Sequence, residues 1–332
     1  MSSTLTSTTT STSGTVEFKV PGLSTPCHTW YKIITANPKS PSPTTATTTT
    51  TTTPPTTPLI ILHGGPGACH DYLLPLSDLA APHCPIIFYD QLGNGLSTHL
   101  PSKFGDESFW TVSLFIHELD NLLTHLSLHT SNHPFSIYGH SWGGMLAAQW
   151  AATSPLSANL HKLIIASSLA SMDVWRLGVT RLRHALPAPV QSVLDEAEET
   201  LDFTTPEYEA AVEVFYKRHL SLKRPWPAPE VQAALDWFAK DATTYGTMYG
   251  PSELYISGSL RDWTCVPLLG RIRAPTLLVN GSEDEAQDVA MQPFFDGIER
   301  VKWVTIDGAA HFTHVDQRER HMRVVGEFLG GV

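Results

Sequence analysis

The sequence predicts an α/β fold, a mostly parallel central sheet with helices on both faces and an inserted helical cap. Three observations carry that expectation. Short apolar runs at residues 59–62, 85–89, 135–138 and 162–166 alternate with stretches of helical spacing, the pattern of right-handed crossovers that bury a sheet on both faces. The strand pattern then stops between residues 172 and 264 and resumes at 275–281 and 301–306. Finally, 332 residues with 42% hydrophobic content suffice for one large core interrupted by an insertion.

Residues 1–14 are Ser/Thr-rich and are expected to be disordered. Residues 15–20 and 29–34 alternate apolar and polar side chains and should form the first, antiparallel strands. Between 38 and 58 lies a Thr/Pro tract with threonine at every position from 47 to 53. It holds almost nothing apolar, so a disordered or extended surface insertion is expected. The first part of the core runs from 15 to 171, the cap from 172 to 264 and the second part of the core from 265 to 332.

Within the core, Val112, Phe115, Leu119, Leu122, Leu123 and Leu126 recur at helical spacing over residues 109–126, with Asp106 or Ser108 as the expected cap. In the cap, Thr204-Thr205-Pro206-Glu207 reads as a helix start with a capping box. Tyr208, Ala211, Val212 and Phe215 form its apolar stripe, and Val231, Ala234, Leu235 and Phe238 form a second. Trp175, Trp226, Trp237, Phe238, Tyr245 and Tyr249 are candidates for an apolar substrate wall.

The chemistry is concentrated in three motifs. Gly139-His140-Ser141-Trp142-Gly143 lies between a strand-like run and an Ala-rich, helix-like one. Flanking glycines permit a tight turn that pushes a serine hydroxyl above the sheet edge, so Ser141 is a candidate nucleophile. Asp284 and His311 follow later strand-like runs, in the order a hydroxyl nucleophile, a carboxylate and an imidazole base take when a serine sits on such a turn. His311 is read as the base and Asp284 as the residue that orients it. Of the competing carboxylates, Asp288 is assigned to the next helix and Asp307 to the end of its strand. His63-Gly64-Gly65-Pro66-Gly67, after the run 59–62, occupies the place of a loop that donates to an oxyanion. The expected donors are the N–H groups of Gly65 and of Trp142, the residue after the nucleophile. Asp90 and Gln91 are expected to tie a loop beside this hole.

His63 to Gly67, the stretch Phe88-Tyr89-Asp90-Gln91-Leu92-Gly93-Asn94-Gly95-Leu96-Ser97 and Gly139 to Gly144 together resemble the proline iminopeptidase family of α/β-hydrolases. The resemblance implies the α/β-hydrolase fold and a helical cap after the strand at 162–166. It also implies a function, serine-dependent release of an N-terminal residue, proline or another small apolar one, from short peptides or amino-acid amides. Tyr249-Gly250-Pro251-Ser252-Glu253-Leu254 resembles the family's cap segment with a glutamate, and Glu285 resembles its second one. By that resemblance Glu253 and Glu285 bind the substrate's free α-amino group. Leu254 stands where the family pattern suggests an aromatic residue, which puts strict prolyl selectivity in doubt. An esterase or amidase acting on a specialised metabolite remains the alternative, followed by a non-catalytic binding protein of the same fold.

A net charge of −11 argues against nucleic acid or an anionic membrane surface as partner, and suits a cationic amine substrate. Cys27, Cys69, Cys84 and Cys265 show no zinc or redox spacing and read as reduced. His311 and His314 are spaced H-x-x-H without a matching third ligand, so no metal is expected, and no phosphate, dinucleotide or flavin motif calls for a cofactor. His314 and His140 are read as packed, structural residues. The start has no apolar signal segment, which makes the cytoplasm the expected location.

Overall fold

The computed structural model of the protein describes residues 9–37, 56–130 and 133–330. Two antiparallel strands open it, β1 (Thr9–Phe18) and β2 (Cys27–Ala36), paired from Thr9 opposite Ala36 to Phe18 opposite Cys27. This corrects the expected boundary of disorder, because residues 9–14 belong to β1. The edge of β2 offers a continuous ladder, and the threonines of this stretch favour extended backbone. Of the expected Thr/Pro insertion, residues 38–55 lie outside the described residues.

Six further strands follow: β3 (Leu59–Leu62), β4 (Ile86–Asp90), β5 (Phe135–His140), β6 (Leu160–Ala166), β7 (Thr276–Gly281) and β8 (Val301–Ile306). The sheet order is β1-β2-β4-β3-β5-β6-β7-β8. β2 pairs antiparallel with β4, and every pairing from β4 to β8 is parallel. Alternate strand residues divide between two cores. Ile60, Leu62, Ile137, Leu163 and Leu278 face one, while Leu59, Ile61, Tyr138, Ile164 and Leu277 face the other. That is the period-two geometry of a strand applied to a sheet covered on both sides.

The covering helices are α1 (Val112–His125) and α2 (Trp142–Thr153), then α3 (Met172–His184), α4 (Ala188–Thr200), α5 (Pro206–His219), α6 (Pro229–Lys240) and α7 (Thr243–Met248), and finally α8 (Asp288–Gly297), α9 (Thr313–Asp316) and α10 (Arg318–Leu329). α3 to α7 fall between β6 and β7 in the chain and form the helical insertion. Two expected caps need correction. α1 is capped by Thr111, whose hydroxyl accepts from the Leu114 N–H, because Asp106 and Ser108 bond each other in the preceding turn. α5 is capped by Thr205 on the Tyr208 N–H. The third helical position is thus Tyr208, with no carboxylate to close a capping box.

Glu118 of α1 ties β2 to the loop after β4. It is fully buried, accepts from Thr29 Oγ1 at 2.5 Å and receives the Leu92 N–H at 2.9 and 3.0 Å. Burial raises its carboxyl from the ordinary 4.5 to about 7. The folded state therefore binds this proton more tightly than the unfolded chain does. The stability it contributes is fully present below pH 4.5 and is lost as pH rises through about 7. Urea unfolding at several pH values should show wild-type stability declining across this window by up to about 1.4 kcal/mol per pH unit more than Glu118→Gln. Parallel pH profiles for the two proteins would refute the assignment.

Candidate active site

Ser141 sits between β5 and α2 with φ 55° and ψ −123°, a backbone conformation that costs a non-glycine residue free energy. The turn closes only because its neighbours lack side chains. A Cβ on Gly139 would stand 2.2 Å from the Gly143 carbonyl oxygen, and one on Gly143 would stand 2.2 Å from that of Leu62. The Ser141 N–H donates to the Ala166 carbonyl at 3.0 Å, and the Ser168 hydroxyl donates to the Ser141 carbonyl at 2.7 Å. These bonds hold the strained turn against β6. Its side chain caps no amide of α2 and faces a cavity of about 630 Å³.

His311 lines the same cavity, just beyond β8. Asp284 lies behind it, fully buried, and its Oδ1 is 2.7 Å from His311 Nδ1. The same carboxylate accepts the N–H groups of Ala286 at 2.7 Å and Gly281 at 3.2 Å. A carboxylate with these donors has only acceptor capacity left for the imidazole, so His311 carries its proton on Nδ1 and presents Nε2 to the cavity. Asp288 opens α8 and accepts from Asn280 Nδ2 at 2.9 Å, and Asp307 is exposed in the turn after β8. Neither is placed by these contacts against His311.

The loop after β3 lies against the serine turn. A Cβ on Gly64 would approach Ser141 Cβ to 3.0 Å, and one on Gly65, at φ 111°, would meet the Gly67 nitrogen at 2.2 Å. The Gly65 and Trp142 N–H groups have no hydrogen-bond acceptor among the described residues. Trp142 is the first residue of α2, whose opening amides lack partners within the helix. Gln91 braces both sides of this opening. Its Nε2 donates to the His63 carbonyl at 3.0 Å, while its Oε1 accepts from Trp142 Nε1 at 2.8 Å. The Gln91 N–H donates to His63 Nε2 at 3.0 Å, so His63 donates from Nδ1 to the Gly64 carbonyl at 2.9 Å. Asp90 accepts the N–H groups of His70 and Leu96 and so closes the adjoining turn.

Glu253 and Glu285 both line the cavity, one from the helical insertion and one from the loop after β7. Tyr245 Oη donates to Glu253 Oε1 at 2.9 Å. Glu285 Oε1 lies 3.6 Å from His311 Nε2, and its Oε2 has no partner among the described residues. Burial raises both carboxyls. For Glu285, held well above the usual carboxylate range, the charges of Glu253 and Asp284 add to the effect. Among the described residues no lysine or arginine lines the cavity. Two acidic side chains thus face an apolar chamber without a lysine or arginine among the described residues, and an ammonium group placed between them would offset the burial that disfavours their charged forms.

The expected aromatic wall is only partly the observed one. Phe238 and Tyr245 line the cavity. Trp175 is buried in the main core, Trp237 donates to Asp71 at 3.0 Å, Trp226 lines a separate groove on the cap, and Tyr249 stacks on Tyr245 with ring centroids 5.5 Å apart. Tyr72, Phe104, Tyr216 and Phe312 complete the wall. Of these, Tyr216 neighbours the Tyr208–Phe215 stripe and could have been found by rotating it. Phe104 comes from a loop with no periodicity to mark it.

His314 donates from Nε2 to the Tyr72 carbonyl at 3.0 Å, and burial holds its pKa down to about 3. A neutral ring can only donate to a carbonyl, which occupies Nε2. Among the described residues one group, Cys69, His70 and Asp90, brings donor atoms within 4.8 Å of one another. Asp90 is already engaged by His70 and Leu96, and burial pushes the Cys69 thiol up, away from the thiolate a metal would need. All four cysteines are buried and unbridged. Among the described residues no helix is long and apolar enough to cross a membrane.

A strained serine at a strand-to-helix turn, with a carboxylate-bound histidine in the same cavity beyond the ends of parallel strands, defines an α/β-hydrolase. Residues 57–317 match the family described as alpha/beta hydrolase fold. The proline iminopeptidase of Thermoplasma volcanium is 33% identical over 271 residues, spanning 82% of this chain and 88% of that protein. That of Saccharolobus solfataricus is 33% identical over 274 residues, with 82% and 85% covered. Among solved structures, VinJ superposes with a TM-score of 0.82 at 36% identity over 95% of this chain and 98% of its own. The proline iminopeptidase of Mycobacterium smegmatis gives 0.80 at 34% identity, with 95% and 97% covered. The chain belongs to the proline iminopeptidase family of α/β-hydrolases and is a hydrolase of that type.

Proposed function

We propose that the protein is a serine aminopeptidase or amidase that releases an N-terminal residue, proline or another small apolar one, from short peptides or amino-acid amides. The observation that carries this reading is the pair Glu253 and Glu285, with no lysine or arginine beside them among the described residues, in the cavity that holds Ser141 and His311. The substrate ammonium lies between the two carboxylates. That fixes the adjoining carbonyl over Ser141, with its oxygen toward the N–H groups of Gly65 and Trp142. His311 takes the Ser141 proton through Nε2 as the serine oxygen attacks, and Asp284 stabilises the imidazolium. The imidazolium then protonates the departing amine, and water activated by the same histidine releases the acid.

The insertion over residues 172–264 acts as a lid that admits short substrates and excludes folded chains. The unbridged cysteines suit a reducing compartment, the cytoplasm.

Glu253→Gln tests the amine reading. It should lower kcat/KM for free-amine arylamides by roughly 1.5–3 kcal/mol, the range for hydrogen bonds to charged groups. An uncharged small ester should be hydrolysed at nearly the wild-type rate. In the wild type, turnover of amine substrates should fall as pH rises through about 8, where an α-amino group loses its proton, and ester turnover should lack that limb. Equal losses on amine and ester substrates would make the carboxylate structural and favour an esterase.

A further inference from the structure

Behind Ser141, three hydrogen bonds join the loop after β3 to the histidine loop. The Gly64 N–H donates to Tyr72 Oη at 2.7 Å. Tyr72 Oη lies 2.9 Å from His140 Nδ1, and His140 Nε2 lies 3.0 Å from the carbonyl oxygen of His311. Proton positions along this path are forced. A carbonyl can only accept, so His140 carries its proton on Nε2 and its Nδ1 is the acceptor. Tyr72 must then spend its single O–H on Nδ1, and its oxygen is free to accept the Gly64 amide. Every member is buried, and burial holds His140 neutral, which the pattern requires.

We infer that Tyr72 and His140 are positioning residues: together they hold the Gly64-Gly65 segment and the His311 segment in one register, so that the oxyanion donor and the base meet the same carbonyl. The placement makes this their effect. Gly64 adjoins Gly65 in the chain and packs on the Ser141 side chain, while the His311 carbonyl belongs to the base itself. The Tyr72 ring also stacks on Phe312, centroids 4.9 Å apart, so the tyrosine touches both loops. His63 and Gln91 secure the other end of the same glycine segment. What Tyr72 and His140 add is the link to the base.

This inference rests on the proposed acylation of Ser141, so labelling of the wild type by a fluorophosphonate comes first. An unlabelled wild type would remove the serine reading itself. With labelling established, Tyr72→Phe removes one hydroxyl and keeps the ring. Its kcat on an aminoacyl arylamide should fall about 10–100-fold, the scale of a small misplacement of reacting groups. KM and affinity for the product amino acid should stay within about twofold, while affinity for an aminoacyl boronate falls in step with kcat. Tyr72→Phe combined with His140→Gln should be no slower than the slower single variant, because the two act through one path. A Tyr72→Phe enzyme with wild-type kcat would overturn the inference. So would equal losses in boronate and product affinity, or multiplied effects in the double variant.

Discussion

Ser141→Ala should lower turnover by about a million-fold on every substrate the wild type accepts, and His311→Ala should lower it by a similar factor. In the proposed mechanism the two side chains form one device. Without the hydroxyl, His311 has no nucleophile to deprotonate, and without the imidazole the hydroxyl stays protonated and weak. Removing both should therefore cost little more than removing either. The residual rate expected is that supplied by the N–H groups of Gly65 and Trp142 and by substrate binding. Stability should survive. Ser141 pays for an unfavourable backbone conformation and its hydroxyl caps nothing, so alanine removes no bond that holds α2. The check is kcat by single-turnover kinetics alongside a thermal melt. Near-normal turnover by a well-folded Ser141→Ala protein would end the acyl-enzyme reading.

The sites that the sequence made legible share a physical feature, since each is enforced by backbone geometry. Gly139 and Gly143 can be read as a turn because any side chain there would strike a carbonyl, and Gly65 because its φ excludes others. Strands 59–62 and 301–306 coincide with β3 and β8, since an apolar run between turn-formers leaves few choices of register. What stayed hidden depends on orientation across the chain. The cap aromatics could be named but not sorted, because helical spacing gives a face without saying which neighbour covers it. Trp175 and Phe238 look alike in the sequence, yet one is buried in the main core and the other lines the cavity. Tyr72 was missed for a similar reason. It sits in a 3-10 helix, Asp71–Leu79, and of its partners Gly64, His140 and Phe312 the last two come from distant segments. The start of β1 stays hidden because polar threonines read as solvated chain until the edge of β2 is known to run beside them.

Asp284→Asn should reduce kcat about ten-thousand-fold, whereas Asp288→Asn should change it by no more than a few-fold. At position 284 both oxygens are engaged by donors: Oδ1 by His311 Nδ1 and the Ala286 N–H, Oδ2 by the Gly281 N–H. An asparagine amide has one acceptor oxygen, so its NH₂ must confront donors whichever way it turns. With NH₂ toward His311, the ring is driven to the other tautomer and Nε2–H faces Ser141, unable to accept its proton. With NH₂ toward Gly281, the tautomer survives, but the imidazolium formed during attack loses the carboxylate charge that stabilises it. Asp288 faces no such dilemma. Asn280 Nδ2 is its donor at 2.9 Å, and an asparagine oxygen accepts that bond equally well. What remains is the loss of a negative charge at the start of α8, worth about 0.3–1 kcal/mol of stability, at a residue that does not line the cavity. Steady-state kcat for both variants, with fluorophosphonate labelling rates as a substrate-independent measure of Ser141 reactivity, separates the two carboxylates. The reverse ranking would transfer the orienting role to Asp288, and equal, small effects would show that His311 needs no carboxylate behind it.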